Sequence, residues 1–248
     1  MLINFAVSLL VWIVAISVLI LLFPVSLLVW FAAFPFDPER KIFHKWMLIH
    51  GKLFSYAIPF WKIDIKGTDI PDKKGVYVII CNHQSLLDIL VMNCISLDFR
   101  WISKIENTRL PVIGWYLKMA RYHTVDRDNQ DSKDKLIEEA AVSLRKGISI
   151  MIFPEGTRSK TGEPGLFKLG AFRLALMTDK PILPVVIDGT GSILPKHGLI
   201  FSMGHKISIR ILDPIHPGSF GTAAPEELAE KLRDLTVAEL QKLREEAR

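Results

Sequence analysis

Between Met1 and Phe36 the chain carries no Asp, Glu, Lys or Arg, and Leu, Ile, Val, Phe and Trp dominate the block. So long an uncharged apolar stretch suits a bilayer. As one helix it would measure about 54 Å, against a hydrocarbon core of about 30 Å, so a single straight span leaves residues over. Pro24 and Pro35 are natural break points. They allow two arrangements: a span from about Leu2 to Phe23, or a bent pair of helices lying partly within one leaflet. A signal peptide is disfavoured, because no basic stretch precedes the apolar run and no small-residue cleavage site closes it. Glu39-Arg40-Lys41, His44-Lys45 and Lys52 follow the block, and their positive charge favours the cytoplasmic side for what comes next.

Ile42 to Phe60 interleaves Phe43, Trp46, Met47, Ile49, Leu53 and Phe54 with Lys45, His50 and Lys52. That spacing predicts an amphipathic helix, either docked on the domain or lying in the membrane interface. Beyond Pro59 strand-like and helix-like segments alternate. Trp61–Ile65, Val76–Cys81, Arg100–Ser103, Ile148–Phe153, Ile182–Ile187 and Lys206–Ile211 read as strands, with a Pro71–Gly75 turn before the second. Helices are expected at about Leu86–Ile95, Val112–Met119, Lys133–Arg145 (capped by Asp131-Ser132 and ended by Gly147), Phe167–Met177 and Pro225–Arg248. The β–α–β spacing predicts an α/β fold, a mostly parallel mixed sheet covered by helices and preceded by a membrane-associated helical segment. The simplest partition is residues 1–58 for that segment and 59–248 for one catalytic-sized domain.

A net charge of +5 suits an anionic partner such as phospholipid headgroups, a phosphorylated substrate or an acidic carrier protein. Nucleic acid is not expected, since the Lys and Arg are scattered and no recognisable binding module appears. The two cysteines, Cys81 and Cys94, form no C-x-x-C or Cys/His cluster, so they read as small buried hydrophobes and no metal site is expected.

The chemistry-bearing stretch is Asn82-His83-Gln84-Ser85-Leu86-Leu87-Asp88, at the end of an apolar run. On one helix His83 and Asp88, five residues apart, would lie about 140° apart and would not meet. They meet if the chain turns between a strand ending at Cys81 and a helix beginning near Leu86. The carboxylate would then fix the imidazole tautomer and leave the other ring nitrogen to take a proton from a hydroxyl. The alternative is a capping box, in which Asp88 of Ser85-Leu86-Leu87-Asp88 satisfies helix N-terminal amides. A second polar turn, Pro154-Glu155-Gly156-Thr157-Arg158-Ser159, follows its own apolar strand, so in a parallel sheet both turns emerge at the carboxyl edge, where such sheets bind ligands. Gly156 permits close backbone approach and Arg158 offers a two-pronged grip on phosphate. Lys104 and Arg127 also end strand-like runs and are candidates for the same pocket, against the ordinary reading as solvated surface cations. No G-x-x-x-x-G-K-[ST] loop and no G-x-S-x-G elbow occurs, which disfavours P-loop ATPase and serine hydrolase chemistry.

The ordered blocks Asn82–Asp88, Val125-Asp126-Arg127, Phe153–Ser159 and Leu183–Ile187 resemble the four-block pattern of the glycerolipid acyltransferase family, most closely the bacterial-type 1-acyl-sn-glycerol-3-phosphate acyltransferases. The resemblance implies acyl transfer from acyl-CoA or acyl-carrier protein to the sn-2 hydroxyl of lysophosphatidic acid, giving phosphatidic acid at a membrane surface. It does not fix the topology, and the expected place at the cytoplasmic face of the cell membrane rests on the charges after the apolar block. It implies no cofactor beyond the donor. It implies His83 as general base, Asp88 as its orienting partner, Glu155, Gly156, Thr157, Arg158 and Arg127 as handlers of the phosphorylated acceptor, Lys104 as a further phosphate ligand, and Pro184 as a residue shaping the pocket. The family's second block usually opens with Gly, whereas here it reads Ala120-Arg121-Tyr122-His123 before Thr124-Val125-Asp126-Arg127. Alternative readings are transfer to glycerol 3-phosphate or another lysophospholipid, and a non-catalytic membrane-tethered lipid-binding protein.

Overall fold

A computed structural model describes residues 2–58, 60–69, 72, 74–220 and 224–246. Residues Pro71 and Lys73 of the expected turn, and the last two of the C-terminal helix, lie outside these. The strands are β1 (Trp61–Lys66), β2 (Val78–Cys81), β3 (Phe99–Lys104), β4 (His123–Val125), β5 (Ser149–Ile152), β6 (Ile182–Asp188) and β7 (His205–Ile211). They form one sheet in the order β1-β7-β6-β2-β5-β3-β4. Every neighbouring pair is parallel except β6 with β7, which is antiparallel. The expected mostly parallel mixed sheet is therefore what the chain builds. The carboxyl ends of β2, β3, β4, β5 and β6 share one edge.

Strand periodicity divides the core. Ile79 and Cys81 face one hydrophobic cluster, whereas Val78 and Ile80 face the other. On the first side lie α1 (Leu2–Ala33), α2 (Lys41–Ala57) and α3 (Leu87–Val91), with α4 (Ile113–Met119) packed beside α1 and α2. On the second lie α5 (Gln130–Arg145) and α6 (Gly170–Thr178); α7 (Thr190–Ile193) is a single turn after β6, and α8 (Pro225–Glu246) closes the second side. Helix α5 starts earlier than expected, and its cap is the Asn129 side chain, which accepts from Ser132 N (3.3 Å). Ser132 Oγ instead accepts from Asp126 N (2.9 Å). Gly147 does end the helix, with φ 78°.

The apolar block is one helix. Pro24 lies inside α1 without ending it, and the turn comes only after Ala33. Proline removes one backbone donor there, but tertiary contacts hold both halves in line. Ser8 and Ser26 are buried and eighteen positions apart, five full turns, so they share a face about 27 Å long. Ser8 Oγ accepts from Phe201 N (2.7 Å), while Ser26 Oγ bonds Tyr116 Oη (2.9 Å) and accepts from Trp46 Nε1 (3.0 Å). The remaining circumference, including Leu2, Ile3, Leu10, Leu21 and Leu28, is exposed. Length and composition suit α1 to a membrane. The amphipathic α2 is docked: Phe43, His44, Gly51 and Ser55 are buried, Asp37 accepts from its Lys41 and Ile42 N–H groups (2.8 Å each), and Ile49, Leu53 and Tyr56 stay exposed.

Candidate active site

At the tip of β2 the chain leaves the sheet because Asn82 stops the ladder with its side chain. Its Nδ2 donates to Ile187 O (2.8 Å) and its Oδ1 accepts from Ile187 N (2.9 Å), so the carboxamide imitates one more strand residue against β6. The turn brings His83 back over the edge, where Ser159 N donates to its carbonyl (2.7 Å). His83 Nδ1 lies 2.7 Å from Asp88 Oδ2. The same oxygen accepts from Gln84 N (2.7 Å) and Ser85 N (2.9 Å), and Leu87 N donates to Ser85 Oγ (3.2 Å). The capping box and the His–Asp pair are thus one structure: the carboxylate that closes the helix also holds the ring. Its other oxygen accepts from Thr190 Oγ1.

Asp88 is wholly buried, with four donors directed at it. The imidazole is flattened against Phe153, with centroids 3.8 Å apart and planes 11° apart, and Trp101 also stacks on Phe153. Nδ1 is thereby committed, and among the described residues nothing bonds Nε2, the nitrogen left for a substrate proton.

Glu155, expected among the acceptor's handlers, is turned inward and buried. Its two oxygens accept from His83 N (2.8 Å) and Gly165 N (2.9 Å), pinning the β2 tip to the loop after β5. Burial raises its carboxyl above the usual range, opposed by the two backbone donors. Gly156 has φ 69°, which favours glycine, and a Cβ there would displace only the flexible end of the Lys168 side chain. Thr157 Oγ1 accepts from Lys196 Nζ (3.0 Å).

Arg158 and Arg127 are half-buried residues, and among the described residues neither guanidinium has a hydrogen-bonding partner. Arg127 follows the tip of β4, and Arg158 the tip of β5, with β3 between them. Lys104 ends β3 opposite Val125 and is half-buried, paired with Glu106 (2.5 Å). Pro184 sits inside the sheet beside Ile80 rather than at a tip. Its carbonyl accepts from Leu212 N (3.0 Å), so its missing N–H falls on the side where the chain leaves β7, and the β2 ladder is intact.

Sequence reasoning assigned no role to Asn82, Thr190, Phe153 or Lys196. Thr190 had a usable signal, since Asp188-Gly189-Thr190-Gly191 is a polar turn after an apolar strand, just as the other two turns are. Lys196 had none.

The model of the Acyltransferase family matches residues 62–188, just over half of the chain. The chain is 36% identical over 184 residues to a chloroplastic 1-acyl-sn-glycerol-3-phosphate acyltransferase of Arabidopsis thaliana, covering 73% of this chain and 51% of that protein. It is 33% identical over 175 residues to a 1-acyl-sn-glycerol-3-phosphate acyltransferase of Saccharomyces cerevisiae, covering 68% and 57%. The chain spans about half the length of the curated relatives it matches. The crystal structure of the 1-acyl-sn-glycerophosphate acyltransferase PlsC from Thermotoga maritima superposes with a TM-score of 0.84 at 26% identity, covering 98% of this chain and 97% of that one.

Proposed function

Because the chain belongs to the acyltransferase family, we propose that it transfers a fatty acyl group from an acyl-CoA or acyl-carrier-protein thioester to the sn-2 hydroxyl of 1-acyl-sn-glycerol 3-phosphate. One observation carries this reading. An imidazole with one free nitrogen stands on the same sheet edge as Arg127 and Arg158, two half-buried residues whose guanidiniums have no partner among the described residues. Two guanidiniums left free of protein partners at a ligand-binding edge suit an anion, and a phosphorylated acceptor supplies one next to a hydroxyl.

In the proposed mechanism His83 Nε2 removes the proton of the acceptor hydroxyl as its oxygen attacks the thioester carbonyl. Asp88 holds Nδ1–H and stabilises the imidazolium. The tetrahedral intermediate collapses to the ester and expels the thiolate, which takes the proton back from His83. A thioester is already activated, so no acyl-enzyme is needed. A general base contributes about 10²- to 10⁴-fold, roughly 3 to 5 kcal/mol, and positioning of the acceptor supplies much of the rest. Arg127 and Arg158 take the phosphate, with Lys104 joining when it exchanges Glu106 for the ligand. Glu155 acts by holding the His83 backbone.

Residues 59–248 are assigned as the catalytic domain and 1–58 as its membrane anchor, with the domain on the cytoplasmic face. Of the two anchor arrangements, the docked stripe from Ser8 to Ser26 supports one that lies partly within a leaflet, as a single helix through Pro24 and not as the expected bent pair. A helix fixed to the domain over about 27 Å does not cross a bilayer while the domain stays in water. Exposed Trp115 packs on Phe23 and the carbonyl of exposed Leu199 accepts from Trp12 Nε1, so apolar surface of the domain flanks the stripe.

The test is an assay of the purified full-length protein with lysophosphatidic acid and an acyl thioester, following thiol release and phosphatidic acid together. Both should appear in equal amounts and be lost in His83→Ala. Thiol release that is independent of lysophosphatidic acid would mark a thioesterase and sink the reading.

A further inference from the structure

Lys196 lies on a loop that touches three separate parts of the molecule. The loop runs from Leu194 to Phe201, and its base is closed by Ser202 N donating to Ile193 O (2.8 Å). At its start, Leu194 O accepts from Ser85 Oγ (2.6 Å), the residue that opens the helix carrying Asp88. In its middle, Lys196 Nζ donates to Thr157 Oγ1 (3.0 Å) and to Arg158 O (2.6 Å). At its end, Leu199 O accepts from Trp12 Nε1 (2.8 Å) and Phe201 N donates to Ser8 Oγ (2.7 Å), while the Phe201 ring packs on Trp12 with centroids 5.4 Å apart. One strap therefore joins the N-terminal helix, the His83–Asp88 corner and the turn that carries Arg158.

We propose that Lys196 is a positioning residue for the acceptor phosphate, holding the Thr157–Arg158 turn in place on behalf of a strap whose own position is set by α1. The inference rests on the reading of Arg158 as a phosphate ligand. The turn needs such a support. Gly156 takes a left-handed φ of 69°, and the backbone beyond it is free to swing unless something holds it. The Glu155 carboxylate fixes the stretch before the glycine, and Ser159 N, bonded to His83 O, fixes the far end. Between those points Lys196 is what grips the turn: its ammonium takes the Arg158 carbonyl and the Thr157 hydroxyl together, which orients the peptide from which the guanidinium extends. The lysine has no carboxylate partner among the described residues, so its charge adds to the positive field that an anion meets there. The buried Ser8 hydroxyl makes the link to α1 directional, because an apolar helix docked by side-chain packing alone would offer the strap's N–H no acceptor.

The experiment measures initial rates of the full-length protein in mixed micelles against lysophosphatidic acid at saturating acyl-CoA. The variants are Lys196→Met, Lys196→Arg, Trp12→Phe, Ser8→Ala and Arg158→Lys, each checked by a melting curve and by flotation with phosphatidylglycerol–phosphatidylethanolamine vesicles. Lys196→Met is expected to raise the acceptor KM about tenfold, with kcat and the donor KM within about twofold. Lys196→Arg recovers most of that loss. Trp12→Phe and Ser8→Ala each raise the acceptor KM about two- to threefold with flotation unchanged. A wild-type acceptor KM in Lys196→Met alongside a raised one in Arg158→Lys overturns the proposal and leaves the phosphate reading standing. Wild-type values in both Lys196→Met and Arg158→Lys overturn the phosphate reading as well. A fall in kcat, donor binding and melting temperature together, without rescue by arginine, marks Lys196 as merely structural. Wild-type acceptor KM in both α1 variants severs the link to that helix.

Discussion

The two halves of the site are built on opposite principles. At the His83–Asp88 corner every polar group described but His83 Nε2 is spoken for: Asp88 has four donors, Asn82 two bonds to Ile187 of β6, Glu155 two backbone amides, and the imidazole Asp88 on Nδ1 and a ring on its face. At the tips of β4 and β5, Arg127 and Arg158 stand half-buried with no partner among the described residues. The first arrangement fixes geometry before substrate arrives, and the second leaves charge uncompensated until a ligand compensates it. Damage to the corner should therefore cost turnover and stability together. Damage to the cation edge should cost affinity with little effect on the fold, or even a gain in stability.

The largest contrast is expected at Asp88. Asp88→Ala strands an imidazole, a hydroxyl and two backbone amides in a buried site, and should cost about 3 to 5 kcal/mol of stability along with nearly all turnover. Asp88→Asn keeps the shape and part of the cap, so its melting temperature should fall much less, while turnover falls about 10²-fold or more because the amide no longer stabilises the imidazolium. Paired melting curves and initial rates check this. Near-wild-type turnover in Asp88→Asn would reduce Asp88 to a cap and dissolve the distinction between the halves.

The next effect belongs to the other half. Arg158→Lys keeps the charge and loses the planar fork, with an expected loss of acceptor affinity of about 1.5 to 3 kcal/mol. Donor KM and melting temperature should not move. Monoacylglycerol, which lacks phosphate, should be a poor acceptor and equally poor with the variant. A lysophosphatidic acid KM unchanged by the substitution, or an equal loss on monoacylglycerol, withdraws Arg158 from the phosphate site.

What could be read in the sequence follows the same division. The strand tips were legible because a buried parallel strand is a short apolar run, and the residue at which polarity returns marks the carboxyl edge; Cys81-Asn82-His83 and Phe153-Pro154-Glu155 both show it. The pairing of His83 with Asp88 was legible as soon as a corner was placed between them. The inward turn of Glu155 was not, since its partners His83 N and Gly165 N are backbone groups that any residue offers. Neither was Lys196, whose contacts lie thirty-eight and thirty-nine positions away with no local pattern. Asn129, Asp131 and Ser132 are all good cap residues, and their nearly equal propensities gave no means of choosing. Pro24 shows a local rule overridden, because a docked stripe on both sides of the proline keeps α1 whole.

A smaller effect tests whether Glu155 belongs to the rigid half. Glu155→Gln leaves one carbonyl oxygen to accept from two backbone amides that the carboxylate served separately, and sets an NH₂ against one of them. The expected loss is about 1 to 3 kcal/mol of stability, with acceptor KM raised less than by Arg158→Lys. Equal stability with a raised acceptor KM would instead make Glu155 part of the acceptor cradle.

The smallest effect concerns His123, on β4, the strand that leads to Arg127. It is buried, its Nε2 lies 3.0 Å from Ser143 Oγ, and burial lowers its pKa despite the Glu139 carboxylate 3.8 Å from Nδ1. The folded state thus prefers the neutral ring, while the unfolded chain protonates its histidine near about pH 6.5. Below that pH the unfolded state binds more protons, so this group removes stability as pH falls, until the lowered folded-state pKa is reached and the slope vanishes. Glu155 acts with the opposite sign: its raised carboxyl pKa removes stability as pH rises from the ordinary carboxylate range through the raised value. His123→Gln retains a partner for Ser143 and cannot titrate. At pH 7.5 it should melt slightly below wild type, and by pH 5 the gap should narrow or reverse. A gap that is constant or widens on acidification would mean that His123 does not carry this dependence, and that the outer strand of the cation edge is no more acid-sensitive than the corner.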